Sequence, residues 1–230
     1  MTMTHSDIRH PVTPGAGCAV VGPAHDVRGP GLRAHRRRTA MAAAREVFVA
    51  HGYHGARMDE ISALAGMSKP TLYSYFPGKL DLYLAVLQHY LDWMVAGVRD
   101  ALAADVGHRE RVHRAVTVYF DFVDEDAGGH VLVFESPVPS EPCVEWRVRN
   151  AMNECAVLVG AQLRAAGAAA FTADACAWGL VGASHLAARH WLDAERPIPK
   201  GEAVDTVVAL CWNGLSAVDQ VSSAPRRRSA

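Results

Sequence analysis

The chain has 230 residues, half of them hydrophobic, with 23 Lys and Arg against 24 Asp and Glu for a formal charge of −1, enough for one ordinary domain plus a smaller one around a buried core. It contains no apolar run of about 18 residues that could cross a membrane, and its first thirty residues, broken by Pro11, Pro14, Pro23 and Pro30, lack the regions of a secretory leader. A cytoplasmic, nucleoid-associated protein is expected, whose five cysteines (Cys18, Cys143, Cys155, Cys176, Cys211), never spaced as C-x-x-C, serve as small core residues and not as disulfides or metal ligands.

The near-neutral total hides a polarised chain. Residues 28–79 carry nine basic side chains against three acids, whereas residues 80–221 carry ten against nineteen. Such asymmetry points to a polyanion as the partner of the basic segment.

Taken in order, residues 1–31 are rich in Gly, Pro and small residues without helical period and read as a disordered arm. A first helix is expected from about Leu32 to His51, with Ala40, Ala44, Val47, Phe48 and His51 on one face and Gly52 as its stop. A short second helix, about Met58 to Ala65, would bury Met58, Ile61, Leu64 and Ala65. After a Gly66-Met67 turn, Ser68 is placed to cap a third helix, Lys69 to Tyr75, anchored inward by Leu72 and Phe76. Pro70 fits there because first-turn amides have no helical acceptor. Beyond Pro77-Gly78, the spacing of Leu80, Leu84, Leu87, Leu91, Val95, Val98 and Leu102 predicts a long fourth helix. Further helices are expected at about 109–123, 130–136, 143–166, 173–193 and 201–219, followed by a flexible tail at 222–230. The expected fold is all-α with about nine helices: a three-helix head at 32–78 and a larger helical bundle at 79–221.

Two short helices joined through a glycine turn, the second opening Ser-Lys-Pro-Thr, make a helix-turn-helix pattern. Spare amides and a favourable dipole at the start of the third helix suit phosphate, and a helix fits the major groove, where base edges are distinguishable. The pattern alone also suits a tight hairpin inside any helical bundle.

The stretch Gly52-Tyr53, Asp59-Glu60-Ile61 and Ala65-Gly66-Met67-Ser68-Lys69-Pro70-Thr71-Leu72-Tyr73-Ser74-Tyr75-Phe76-Pro77-Gly78-Lys79-Leu80-Asp81-Leu82 resembles the signature of the tetracycline-repressor (TetR/AcrR-type) family of transcription regulators. It has the Ile of the second helix, the Ala-Gly turn, the Thr-Leu-Tyr core, the Phe, the Lys three residues on and the Leu three beyond. The resemblance covers about 50 residues. It implies that Ser68, Lys69, Pro70 and Thr71 open the reading helix, with Lys69 and Thr71 at bases or adjacent phosphates and Pro70 against a thymine methyl. It further implies that Tyr73 meets a phosphate, that Ser74 and Tyr75 lie nearby with Tyr75 partly in the core, and that Lys79 holds the DNA backbone. The family's Thr or Ser at the start of the second helix is replaced by Arg57, which cannot accept the capping bond but can pair with phosphate. Arg36 and Arg38, in the Arg36-Arg37-Arg38 run, could enter the neighbouring minor groove, bind its flanks, or form a solvated basic arm.

Beyond Leu82 the resemblance is architectural. It implies that the last two helices pair with a second copy, and Trp178, Gly182, Leu186, Val208, Trp212 and Leu215 are the expected interface. An effector site is expected among His113, Tyr119, Phe120, Phe134, Trp146, Met152, Cys155 and His185, gated by the Gly/Pro-rich stretch 124–142. No cofactor or metal is expected: His108 and His113, like His185 and His190, are five apart and share no helix face. No catalytic constellation stands out. The implied function is a homodimeric repressor that binds a palindromic DNA operator and is released by a small-molecule effector. The rivals are a regulator or activator controlled by a protein partner, without a small ligand, and, more remotely, an all-α enzyme.

Overall fold

A computed structural model describes residues 30–124 and 141–223. Most of the expected arm, the expected helix at 130–136 with Phe134, the end of the tail and the side chain of Leu215 lie outside the described residues. Among the described residues are eight helices and no strand: α1 (Pro30–Gly55), α2 (Met58–Leu64), α3 (Lys69–Tyr75), α4 (Lys79–Ala103), α5 (His108–Asp124), α6 (Pro142–Ala165), α7 (Ala170–Asp193) and α8 (Lys200–Ser223). The chain is all-α, as its periodicity predicts.

In the head, α1 starts two residues before the expected Leu32 and buries Ala40, Ala43, Ala44, Val47 and Phe48. The helix breaks at Gly52, where its stop is expected. Gly52 takes φ 66° and ψ 173°, a backbone open to glycine, and helix resumes as far as Gly55. His51 departs from expectation: it turns to solvent, where its Nε2 lies 3.1 Å from Glu60 Oε1 on α2. Leu64 is also 52% exposed, contrary to the expected burial, because α2 ends there and only Met58, Ile61 and Ser62 face inward. The α2–α3 turn is a Schellman closure around Gly66 at φ 62°. The Met67 amide reaches Ser62 O at 3.0 Å and the Gly66 amide reaches Ala63 O at 3.1 Å.

Head and body share α4, whose 25 residues extend about 37 Å. It packs on α1 in the head and on α5 and α6 in the body. At the head end, the Tyr83 ring meets Phe48 and Tyr53 edge-on, with centroids 5.2 Å apart in each pair, so α1 and α4 are joined by an aromatic knot. The expected stripe is buried from Leu84 to Leu102, with Leu80 at its half-buried start. The body is completed by α5, α6, α7 and α8 packed on one another. Among the described residues no helix is long and apolar enough to cross a membrane. One cysteine expectation fails: Cys155, Cys176 and Cys211 are free thiols, but Cys143 is disulfide-bonded.

Candidate functional site

The outward face of α3 follows from which residues its core claims. Leu72 (0% exposed) and Phe76 (2%) point into the head, so Lys69, Pro70, Tyr73 and Ser74 are left on the surface, with Thr71 and Tyr75 half-buried. Ser68 caps the helix from extended backbone (φ −69°, ψ 150°). Its Oγ accepts the Thr71 amide at 3.4 Å and lies 2.7 Å from the Thr71 hydroxyl. The Ser74 hydroxyl donates to Thr71 O at 2.6 Å, so three of the expected contact residues also fix one another. Tyr75 packs on the core beneath the Arg33 guanidinium, 5.5 Å from the ring centroid.

Two expected DNA contacts carry internal partners that the sequence does not disclose. Lys69 Nζ lies 2.6 Å from Asp59 Oδ1, with both side chains more than half exposed. The Lys69 ammonium, by hydrogen bond and then by charge, holds the Asp59 carboxyl below the usual carboxylate range, and Asp59 raises Lys69 by the same two causes. Lys79 Nζ donates to His54 O at 3.2 Å and Ala56 O at 3.1 Å, and sits 4.7 Å from the Tyr53 ring centroid. It thereby satisfies carbonyls at the ragged end of α1, leaving one N–H of three for another acceptor.

Arg57 precedes α2 in extended backbone, exposed and without a side-chain cap bond, as its chemistry requires. The reading of Arg36 and Arg38 as part of an arm needs correction. Both lie inside α1, and a residue in a continuous helix cannot thread a minor groove about 6 Å wide as an extended strand. Their neighbours Arg33 and Arg37 lie over Tyr75 and Phe76, 5.5 and 5.1 Å from the ring centroids, binding this basic turn to the end of α3.

In the body, a cavity of about 430 Å³ opens between the far end of α4 and α5, α6, α7 and α8. Its wall is largely apolar (Leu102, Val112, Val159, Leu163, Ala173, Leu180 and Trp212), with His108, Arg111, Gln162, Thr172 and Cys176 as polar points and no carboxylate among the described residues. None of the seven expected effector residues that are described lines it. Tyr119, Met152 and Cys155 do come together, but as packed core. Tyr119 Oη donates to Met152 Sδ at 3.6 Å, and burial raises the Tyr119 phenol and pushes the Cys155 thiol up to about 11. Phe120 is fully buried, its ring centroid 5.7 Å from that of Trp191. His113 pairs with Asp205 of α8 at 3.2 Å, and Trp146 and His185 are half-buried elsewhere. The cavity was hidden in the sequence because five helices each supply ordinary small or aliphatic residues. The only local signal is Arg111 within a turn of His108.

The expected interface residues divide. Trp178 (47% exposed) and Leu186 (65%) stand on the outer side of α7 together with Phe171 (79%), which sequence reasoning missed, as it did Leu210 (69%) of α8. Gly182 lies between Trp178 and Leu186 with open space where a side chain would begin. Val208, by contrast, is 1% exposed in the chain's own core, and Trp212 is half-buried in the cavity wall.

Residues 40–86 match the model of the bacterial regulatory proteins of the tetR family. The chain is 46% identical to the HTH-type transcriptional activator FasR of Mycolicibacterium smegmatis over 81% of this chain and 85% of that protein. A TetR-like transcriptional regulator from Rhodococcus sp. RHA1 superimposes with a TM-score of 0.65 at 27% identity, covering 80% of this chain and 97% of that one. FadR of Bacillus subtilis, in complex with stearoyl-CoA, shares the fold at a TM-score of 0.64 and 14% identity, over 76% of this chain and 96% of that one. The chain belongs to the tetR family: it is an all-α, helix-turn-helix, DNA-binding transcription regulator and not an enzyme.

Proposed function

We propose that the protein acts as a homodimer that holds a palindromic operator with its two α2–α3 pairs and answers a small effector bound in the body. The observation that carries the reading is the first turn of α3, where exposed Lys69 and Pro70 and half-buried Thr71 stand on a helix seated by buried Leu72 and Phe76. In this reading Lys69 and Thr71 meet base edges and Pro70 meets a thymine methyl. Ser68 places the turn, with Ser74 and Tyr75 beside it. Tyr73, Arg57 and the remaining N–H of Lys79 hold phosphates, while Arg36 and Arg38 approach flanking phosphates from α1. The exposed apolar side of α7 and α8 supports pairing with a second copy.

The largely apolar wall of the cavity favours an effector with a substantial apolar part, its polar end near Arg111 and His108. Because α4 runs from the cavity to the head, an effector that prefers one tilt of α4 changes the spacing of the two reading helices. The coupling expected is about 1–3 kcal/mol. The relative that is 46% identical over 81% of the chain is named an activator, which favours activation over the repression implied by the family resemblance. Selection from random DNA followed by footprinting tests the core of the proposal. A symmetric site with half-sites about one helical turn apart is expected. Lys69→Ala should relax one symmetric position by about 1–3 kcal/mol per half-site, and an unchanged selected motif would assign reading elsewhere. A reporter carrying that site gives the sign of regulation.

A further inference from the structure

Asp59 is an anomaly in the basic face. It occupies the first turn of α2, two residues after Arg57 and 2.6 Å from Lys69 Nζ at the start of α3. Arg57 and Tyr73 act electrostatically on the same pair. A carboxylate placed where phosphates are to be held opposes binding in general. Its ordinary explanation, an acid complementing the α2 dipole, is already met by Glu60 in the same turn.

We propose that Asp59 is a specificity-determining positioning residue, which holds the Lys69 ammonium toward base edges and away from phosphates. The inference rests on Lys69 being a base-reading residue. An ammonium has three N–H groups. With one on Asp59, two remain for acceptors such as O6 and N7 of a guanine, so reading a base and keeping the ion pair are compatible. A base edge carries no net charge, whereas a phosphate taking the same N–H groups is drawn up to the Asp59 carboxylate, 2.6 Å from the ammonium, and is repelled by it. The carboxylate therefore acts mainly against non-specific complexes, where phosphate is all Lys69 can find. It also restricts a side chain with four rotatable bonds before DNA arrives.

The test compares the dimer's affinity for its selected operator with its affinity for random-sequence duplex across a salt series. Asp59→Asn keeps the side chain's shape and removes its charge. It is expected to tighten random duplex about tenfold and operator by no more than about threefold. Its log–log salt slope on random duplex should steepen by roughly 2 per dimer, as two freed lysines displace two more counterions. Glu60→Gln removes an equal charge from the same helix turn. It should shift both affinities by one common factor, leaving their ratio unchanged. In a Lys69→Met background, Asp59→Asn should no longer change the ratio.

Three results would overturn the proposal: Asp59→Asn moving both affinities equally, Glu60→Gln lowering the ratio as much, or Asp59→Asn acting undiminished in the Lys69→Met background. The base-reading assignment fails separately, if Lys69→Met alone leaves the selected motif intact. A thermal melt of each variant shows that the head is folded, and Asp59→Glu should restore the wild-type ratio at least in part.

Discussion

Head and body are built from the same element, the amphipathic helix, yet they place their sites by different means. In the head, which residues of α3 face outward is decided within one or two turns of chain: Ser68 caps, Leu72 and Phe76 anchor, and Lys69, Pro70, Tyr73 and Ser74 are what remains. In the body, the cavity exists only where the ends of four helices and the flank of a fifth meet. A short-range site is written in a contiguous motif, and a long-range site is written nowhere in particular. Substitutions that leave one region intact while disabling the other are the means of breaking this contrast.

The largest effect is expected at Gly182. A Cβ there would meet nothing within 4 Å in its own chain, so Gly182→Glu should leave the monomer folded. On the proposed interface it would place an unpaired charge between two apolar helices. The variant should sediment as a monomer with an unchanged melt, and should lose operator affinity by about a hundredfold or more because the two heads no longer bind as one unit. A dimeric Gly182→Glu protein that binds normally puts the interface elsewhere and uncouples the head from this face of the body.

Next comes the cavity. Cys176 lines it from α7 as a half-buried free thiol, and Cys176→Trp should fill much of the space an effector needs. Operator binding without effector should stay within about twofold, while effector affinity falls about tenfold or more, a loss of about 1.4 kcal/mol or greater. Titration calorimetry beside an operator-binding assay checks both. A Cys176→Trp protein that responds normally would place the effector outside this cavity.

These expectations also mark how far the sequence could be read. The caps, the glycine turn, the inward anchors and the family signature were legible because each depends on near neighbours along the chain. Leu64 was misread because the spacing from Ile61 continues a helix that in fact ends there, leaving its side chain 52% exposed. Val208 was assigned to the interface because α8 is apolar around much of its girth, and periodicity alone does not tell which side meets α5 and α7. The ion pair of Lys69 depends on how α2 meets α3, and the two carbonyls on Lys79 on how α4 meets the end of α1. Nothing in local spacing announces them.

Lys79 offers a test of the head as a self-supporting unit. Lys79→Ala deprives His54 O and Ala56 O of their donor and removes a cation from the Tyr53 ring. A stability loss of about 1–3 kcal/mol is expected, seen as a lower melting temperature. If the third N–H holds phosphate, the operator salt slope should also flatten by roughly 2 for the dimer. A lower melt with an unchanged slope would make Lys79 a structural residue alone.

The smallest effect concerns a corner of the body where charge, not packing, closes the fold. Glu195 and Arg196 take left-handed backbone at φ 59° and 57°, which side chains other than glycine's adopt at some cost. Arg196 Nε is held 2.8 Å from Asp124 Oδ1, and Lys200 Nζ lies 2.9 Å from Asp121 and 3.1 Å from Asp124. The hydrogen bond from Arg196, before burial and Lys200, sets the balance that holds the Asp124 carboxyl below its usual range; Asp121 foremost raises Lys200. A depressed carboxylate contributes stability that is fully present above its ordinary value near pH 3.9 and is lost as pH falls through its lower folded value. The raised Lys200 contributes below its ordinary value near pH 10.4 and loses this as pH climbs through the folded one. With side-chain exposures of 27% for Asp124 and 44% for Arg196, solvent screening limits Asp124→Asn to about 1 kcal/mol or less at neutral pH. Urea unfolding of wild type and Asp124→Asn should therefore give a difference that is flat between about pH 5 and 9 and shrinks toward zero below about pH 4. A difference that persists undiminished at about pH 2.5, below the ordinary carboxylate range, would mean that the left-handed turn is held by Trp191, whose Nε1 donates to Ile198 O at 2.8 Å beneath the Arg196 guanidinium, and that packing closes this corner as it closes the head.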